Sequence, residues 1–148
     1  GAGFSVLMPG VPERRTEVAR GSSRAVETDV YSLDLPEGGF YAVVVSRMPK
    51  RPEPGRETDD ALDSAAERAV SSASARLVSK QTVFLGGHTG RQIEAEVPES
   101  AVAGGATLRE RVFVAGDRLF EVIAVVPRAE AGSPSTARFL DSFELTTP

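Results

Sequence analysis

Residues 108–126 read as two strands joined by Gly116-Asp117, and both faces of that hairpin are apolar. A two-residue loop of this type favours a primed turn, which fixes the pairing. Ala115 then opposes Arg118, Phe113 opposes Phe120, and Arg111 opposes Val122. Strand alternation puts Arg109, Arg111, Phe113, Phe120, Val122 and Ala124 on one face. The other face carries Glu110, Val112, Val114, Leu119, Glu121, Ile123 and Val125. Strands with apolar residues on both faces are central strands covered on two sides. A chain that contains this hairpin must therefore build a layered fold with material packed on each face of the sheet.

The flanking segments supply those layers. Phe4 to Met8 is a short apolar strand stopped by Pro9-Gly10. Thr16 to Leu35 reads as a hairpin with its turn at Gly21-Ser22-Ser23. After the Pro36–Gly39 turn, Phe40 to Met48 is the most apolar strand, which predicts cover on both faces. A proline-rich connector, residues 49–58, forbids regular pairing. Thr58 or Asp59 is then positioned to cap a helix, with Asp59, Asp60 and Asp63 in its first turn. Leu62, Ala65, Ala66, Ala69, Val70, Ala73 and Leu77 recur as one helical stripe. Its alanines allow close approach to a sheet. Val78 to Leu85 and Arg91 to Val97 read as strands around Gly86-Gly87-His88-Thr89-Gly90. In the second, Ile93, Ala95 and Val97 share a face. Ser133 is an N-cap with Pro134 at the first helical position, and Ala137, Leu140 and Phe143 are expected to point inward. Phe143-Glu144-Leu145 returns as a strand that closes the sheet. The expected class is α+β: a mostly antiparallel sheet of about six to eight strands with two helices packed on it.

Composition limits the function. The 148 residues suit one domain, residues 1–148. A net charge of −4 disfavours nucleic acid and anionic membrane surfaces as partners. Cysteine is absent, which removes thiol catalysis, disulfides and Cys-bound metal. No apolar run approaches the roughly 20 residues of a membrane span. The chain opens Gly1-Ala2-Gly3 without a methionine, which predicts a processed or truncated chain from which a leader or lipid anchor would have been removed unseen. Lys50 and Lys80 are the only lysines, isoleucine occurs only at Ile93 and Ile123, and asparagine is absent. Those residues use AT-rich codons, so the composition points to a GC-rich bacterial genome.

With these elements in order, the chain resembles the Mog1/PsbP-like fold family, in particular its small bacterial secreted and lipoprotein members. The matching segments are Phe4-Ser-Val-Leu-Met-Pro-Gly, Phe84-Leu-Gly-Gly-His-Thr-Gly-Arg, Gly116-Asp-Arg-Leu-Phe and Phe139-Leu-Asp-Ser-Phe-Glu-Leu. They span nearly the whole chain. The resemblance implies an α/β/α sandwich and a noncatalytic domain that binds another protein. It also implies a cell-envelope, periplasmic or extracellular location. Members act as a photosystem extrinsic subunit or a small-GTPase partner, and no shared catalytic site carries over.

The residues themselves offer few chemical candidates. His88 is the sole histidine, and a hydrolase built on it would need an activated Ser and an orienting carboxylate nearby. No Gly-x-Ser-x-Gly elbow is present. Gly86, Gly87 and Gly90 precede Arg91 and a strand, whereas a phosphate loop requires Gly-Lys-Ser/Thr and a helix. Arg109 and Arg111 point the same way and form a possible anion stripe. The competing expectation is cross-strand pairing with Glu94 or Glu96. Glu110 and Glu121 share a face and are expected at its rim or paired to a helix. His88, Arg91, Arg109 and Arg111 are thus the candidate binding residues. No catalytic residue, metal or cofactor is assigned. The three aspartates at the helix start lack the Gly-containing loop of a calcium site. A small-ligand or lipid-binding groove between sheet and helix is the alternative to protein binding, and a His88-dependent hydrolase is the third reading.

Overall fold

Nine strands and two α-helices follow one another in the computed structural model, which describes residues 3–20 and 25–146. They are β1 (Phe4–Ser5), β2 (Glu13–Arg20), β3 (Ala25–Asp34), β4 (Phe40–Arg47) and α1 (Arg56–Ser72). Then come β5 (Arg76–Leu85), β6 (His88–Val97), β7 (Ala106–Ala115), β8 (Arg118–Pro127), α2 (Pro134–Ser142) and β9 (Glu144–Leu145). Seven strands form one antiparallel sheet in the order β2-β3-β4-β8-β7-β6-β5. The α+β class with two helices on a largely antiparallel sheet is as expected.

The β7–β8 hairpin has the register set by its turn: Ala115 opposes Arg118, Phe113 opposes Phe120, and Arg111 opposes Val122. Gly116 sits at φ 64°, and Asp117 is not in the positive-φ region, the type II′ pattern that suits strand twist. β8 pairs with β4 and β7 with β6, so the hairpin lies at the centre of the sheet. The turn expected at Gly21-Ser22-Ser23 lies outside the described residues.

Each face has its own layer. On one, α1 lays Leu62 and Ala65 against Val112 and Leu119. Its Ala69 and Val70, with Ala73 just past its end, pack on Ala95, Val97, Ala106 and Leu108. On the other, α2 sets Phe139, Leu140 and the following Phe143 against Tyr41, Val43, Phe120 and Val122. The Tyr41 ring stacks on Phe139 at 4.5 Å, and its hydroxyl meets Thr136 Oγ1 at 3.1 Å.

Four local expectations need correction. The first helix begins at Arg56, after Gly55 at φ 90° and without a side-chain cap. Thr58 instead donates to the Glu53 carbonyl, and Glu57 accepts from the Glu53 amide, so the helix starts by folding back on its own connector. The helix also ends at Ser72, because Ser74 turns the chain at φ 53°. Leu77 therefore belongs to β5. In α2, Ser133 does cap, accepting from the Ser135 amide, but the inward residues are Thr136, Phe139 and Leu140. Ala137 is exposed. Finally, β9 does not join the main sheet. It pairs with β1, Phe4 opposite Leu145. Phe143 explains this: its ring is held among Phe4, Phe113 and Phe120 at 5.7–6.1 Å, which seats the strand over the sheet face rather than at an edge.

Candidate functional site

One end of the sheet collects all four candidate residues. Among the described residues β5 is the last strand, paired with β6 on one side only. The connecting turn, Gly86-Gly87, takes φ 54° and 85°, both in the left-handed region that glycine enters without strain. It brings His88 opposite Leu85. His88 is half-buried, and no side-chain hydrogen bond or ion pair reaches it among the described residues. A Ser–His–carboxylate arrangement is therefore not assembled around it among the described residues.

Arg91 points to the α1 face and is only 9% exposed. Its Nε donates to Asp63 Oδ1 at 3.0 Å and its Nη2 to Asp59 Oδ1 at 3.1 Å. Lys80 of β5 donates to the same Asp63 oxygen at 3.1 Å. Burial works against charge at Asp63, but the hydrogen bonds from Lys80 and Arg91 prevail and hold its carboxyl below the usual range. Burial likewise opposes charge on Arg91, and hydrogen bonds to Asp59 and Asp63 outweigh it. With α1 starting at Arg56, only Asp59 of the three expected aspartates lies in its first turn; it and Asp63, further along the helix, neutralise strand cations. Among the described residues no group of three His, Asp or Glu side chains is placed to hold a metal ion.

On the opposite face, Arg109 donates to Glu94, its direct cross-strand neighbour, at 2.9 Å. That is one of the two carboxylates expected for it. Glu96 pairs instead with Arg128. Arg111 is tied elsewhere: to Gln92 Oε1 at 2.7 Å, Asp141 Oδ1 at 2.8 Å and the Leu140 carbonyl at 3.1 Å. It places a cation on a carbonyl in the last turn of α2, where the helix dipole is negative. The arginines thus lock helices and strands around the β5–β6 end.

β5 itself was not singled out by sequence. Among the described residues its outer edge is unpaired along Arg76–Leu85, and its ladder with β6 has one irregularity between Leu77 and Ser79. Phe84 is 73% exposed, and Leu77 and Val78 nearly half exposed. The signal was present as an apolar strand end, but edge position depends on strand order.

Glu110 is not the rim residue expected, whereas Glu121 is only partly buried and lies under the influence of Arg68 of α1. Both lie on the α1 face as diagonal neighbours, because Glu110 opposes Ile123 and Glu121 opposes Val112. Glu110 is fully buried, and its carboxyl shares a side-chain hydrogen bond with that of Glu121. Burial and the adjacent Glu121 push its carboxyl well above the usual range, against the pull of Arg68. Burial also raises Glu121, again opposed by Arg68.

No family model matches the chain, and no curated protein sequence matches it. Among solved structures it is similar to the solution structure of cyanobacterial PsbP (CyanoP) from Synechocystis sp. PCC 6803. The TM-score is 0.61 at 15% identity, covering 97% of this chain and 87% of that one. The chain therefore has a PsbP-like fold, as its sequence resemblance implied.

Proposed function

We propose that this chain is a noncatalytic protein-binding domain of the bacterial cell envelope, whose partner adds an extended, acidic segment alongside β5. The observation that carries the reading is the open β5 edge. An unpaired strand offers main-chain donors and acceptors to a partner strand, and exposed side chains supply selectivity. The two edges of the sheet differ. β2 reads Glu-Arg-Arg-Thr-Glu-Val-Ala-Arg, a dense mix of charges of the kind that guards an edge. β5 reads Arg-Leu-Val-Ser-Lys-Gln-Thr-Val-Phe-Leu, with basic residues only at Arg76 and Lys80 and no acidic one. Lys80 is already held by Asp63, and β5 has no carboxylate to pair with its Arg76, which favours an acidic partner over self-pairing. His88, at the turn beside Leu85, borders this surface. Arg91, Arg109 and Arg111 act as supports that hold the neighbouring elements in place. The envelope setting draws on the resemblance to secreted and lipoprotein members and on the codon-biased composition.

A photo-crosslinking amino acid placed at Phe84 tests this in cells, with one at Val18 on β2 as the control. The expected outcome is a discrete crosslinked protein from position 84 and none from 18, lost when Val78→Asp is added. Crosslinks from both positions, from neither, or only to a second copy of this chain would overturn the reading.

A further inference from the structure

Toward the β2 edge of the sheet lies a cavity of about 480 Å³, within the size range of small-molecule sites. Tyr31 and Val45 form its floor, and Arg47 and Arg118 line it. Alternation from Val43 and Phe120 puts Val45, Arg47 and Arg118 on the α2 face, but no residue of α2 lines the cavity. Arg47 of β4 and Arg118 of β8 are direct cross-strand neighbours. The Met48 amide donates to the Asp117 carbonyl at 2.7 Å, so Arg47–Arg118 is a non-hydrogen-bonded pair, the kind whose side chains come closest. Neither guanidinium has a hydrogen bond or ion pair among the described residues. We propose that this cavity binds a small phosphate monoester, its phosphate group bridging the Arg47 and Arg118 guanidiniums.

The chemistry follows from two like charges set face to face. Directly opposed cations destabilise a sheet. Elsewhere on this sheet Arg91, Arg109 and Arg111 each hold a carboxylate. Arg14, on the cavity wall, does so too: Asp29 lies 3.6 Å away and also accepts from Thr16 at 2.7 Å. Arg14 is thereby spent, with its guanidinium 5.4 Å from the centre of the Tyr31 ring. Glu27, which is exposed, is the one other carboxylate among the lining residues, so the two unpaired guanidiniums outweigh it. An anion between them turns repulsion into attraction. Each guanidinium offers a fork of N–H donors. A phosphate monoester has three terminal oxygens to receive both forks, whereas a carboxylate has two. The rest of the cavity takes the organic group of the ester, against Tyr31 and Val45.

Calorimetry on the intact domain with phenyl phosphate, benzoate and inorganic phosphate tests the assignment. Phenyl phosphate is expected to saturate and to bind at least about tenfold more tightly than either of the others. Arg47→Gln and Arg118→Gln should each weaken it by about tenfold or more, and Glu27→Gln should strengthen it. Arg15→Gln removes the same charge from the other face of β2, where Arg15 pairs with Glu17, and should leave binding unchanged. No saturation by phenyl phosphate, equal binding of benzoate or inorganic phosphate, an unchanged affinity in folded Arg47→Gln or Arg118→Gln, or an equal loss in Arg15→Gln would each overturn it. Phosphatidic acid vesicles carry the same group on a lipid; cosedimentation with them, without saturation by phenyl phosphate, would assign the site to a headgroup and overturn the soluble ester. The β5 crosslink at position 84 does not depend on these substitutions, so the two proposals fail separately.

Discussion

Glu110 is the residue whose environment departs furthest from what its chemistry prefers. Its carboxyl is enclosed beneath α1, hydrogen-bonded to a second carboxyl, Glu121, with the exposed Arg68 nearby. Such a group stays protonated in the folded chain above the pH at which it ionises unfolded. The folded state then binds more protons in that window, so stability falls as pH rises from the ordinary carboxylate range through the raised value. Asp63 has the opposite sign: its depressed value adds stability above its unfolded pKa, lost as pH falls through the folded one. Glu110→Met removes the buried carboxyl at similar volume. At pH 8 it is expected to raise stability by about 1–3 kcal/mol, with a smaller gain at pH 4, as measured by urea unfolding at both values. A loss of stability at pH 8 would contradict the burial described for Glu110. The shared face of Glu110 and Glu121 was legible from alternation and the turn. Their burial was not, because it depends on a helix distant in sequence that lays Leu62 and Ala65 over the next residues of the same face.

Elements whose information is local were legible in the same way. The β7–β8 hairpin carries its register in a two-residue turn, and α2 carries its start in Ser133-Pro134. α1 shows the limit. Its alanine stripe predicted the packed face, but its ends were set by contacts no periodicity encodes: Glu53 folded against Thr58, and a positive-φ Ser74. Arg91 was visible only as a residue after a glycine turn. The structure makes it the tether from β6 to Asp59 and Asp63 of α1. Arg91→Met should therefore lower stability by about 1–3 kcal/mol, the scale of hydrogen bonds to charged groups. Amide exchange should accelerate in α1 while α2, held through Arg111 on the other face, keeps its protection. Equal acceleration in both helices would show that Arg91 acts on the whole sheet instead.

At the scale of the molecule, two helical layers cover the faces of one seven-stranded sheet, and its two edges are unequal. Strand order decides this. The chain places β4 beside β8, which puts the central hairpin inside and leaves β2 and β5 outside. A single sequence shows strands but not which of them end the sheet, so the β5 edge became apparent only with the topology. The account's central claim is that this edge receives a partner strand. Hydrogen exchange of the isolated domain, and of the domain bound to the partner crosslinked at position 84, tests it most directly. The predicted result is slowed exchange across residues 79–85 on binding, with β2 unchanged. Protection confined to α2 or to β2, with residues 79–85 exchanging as in the free domain, would contradict it.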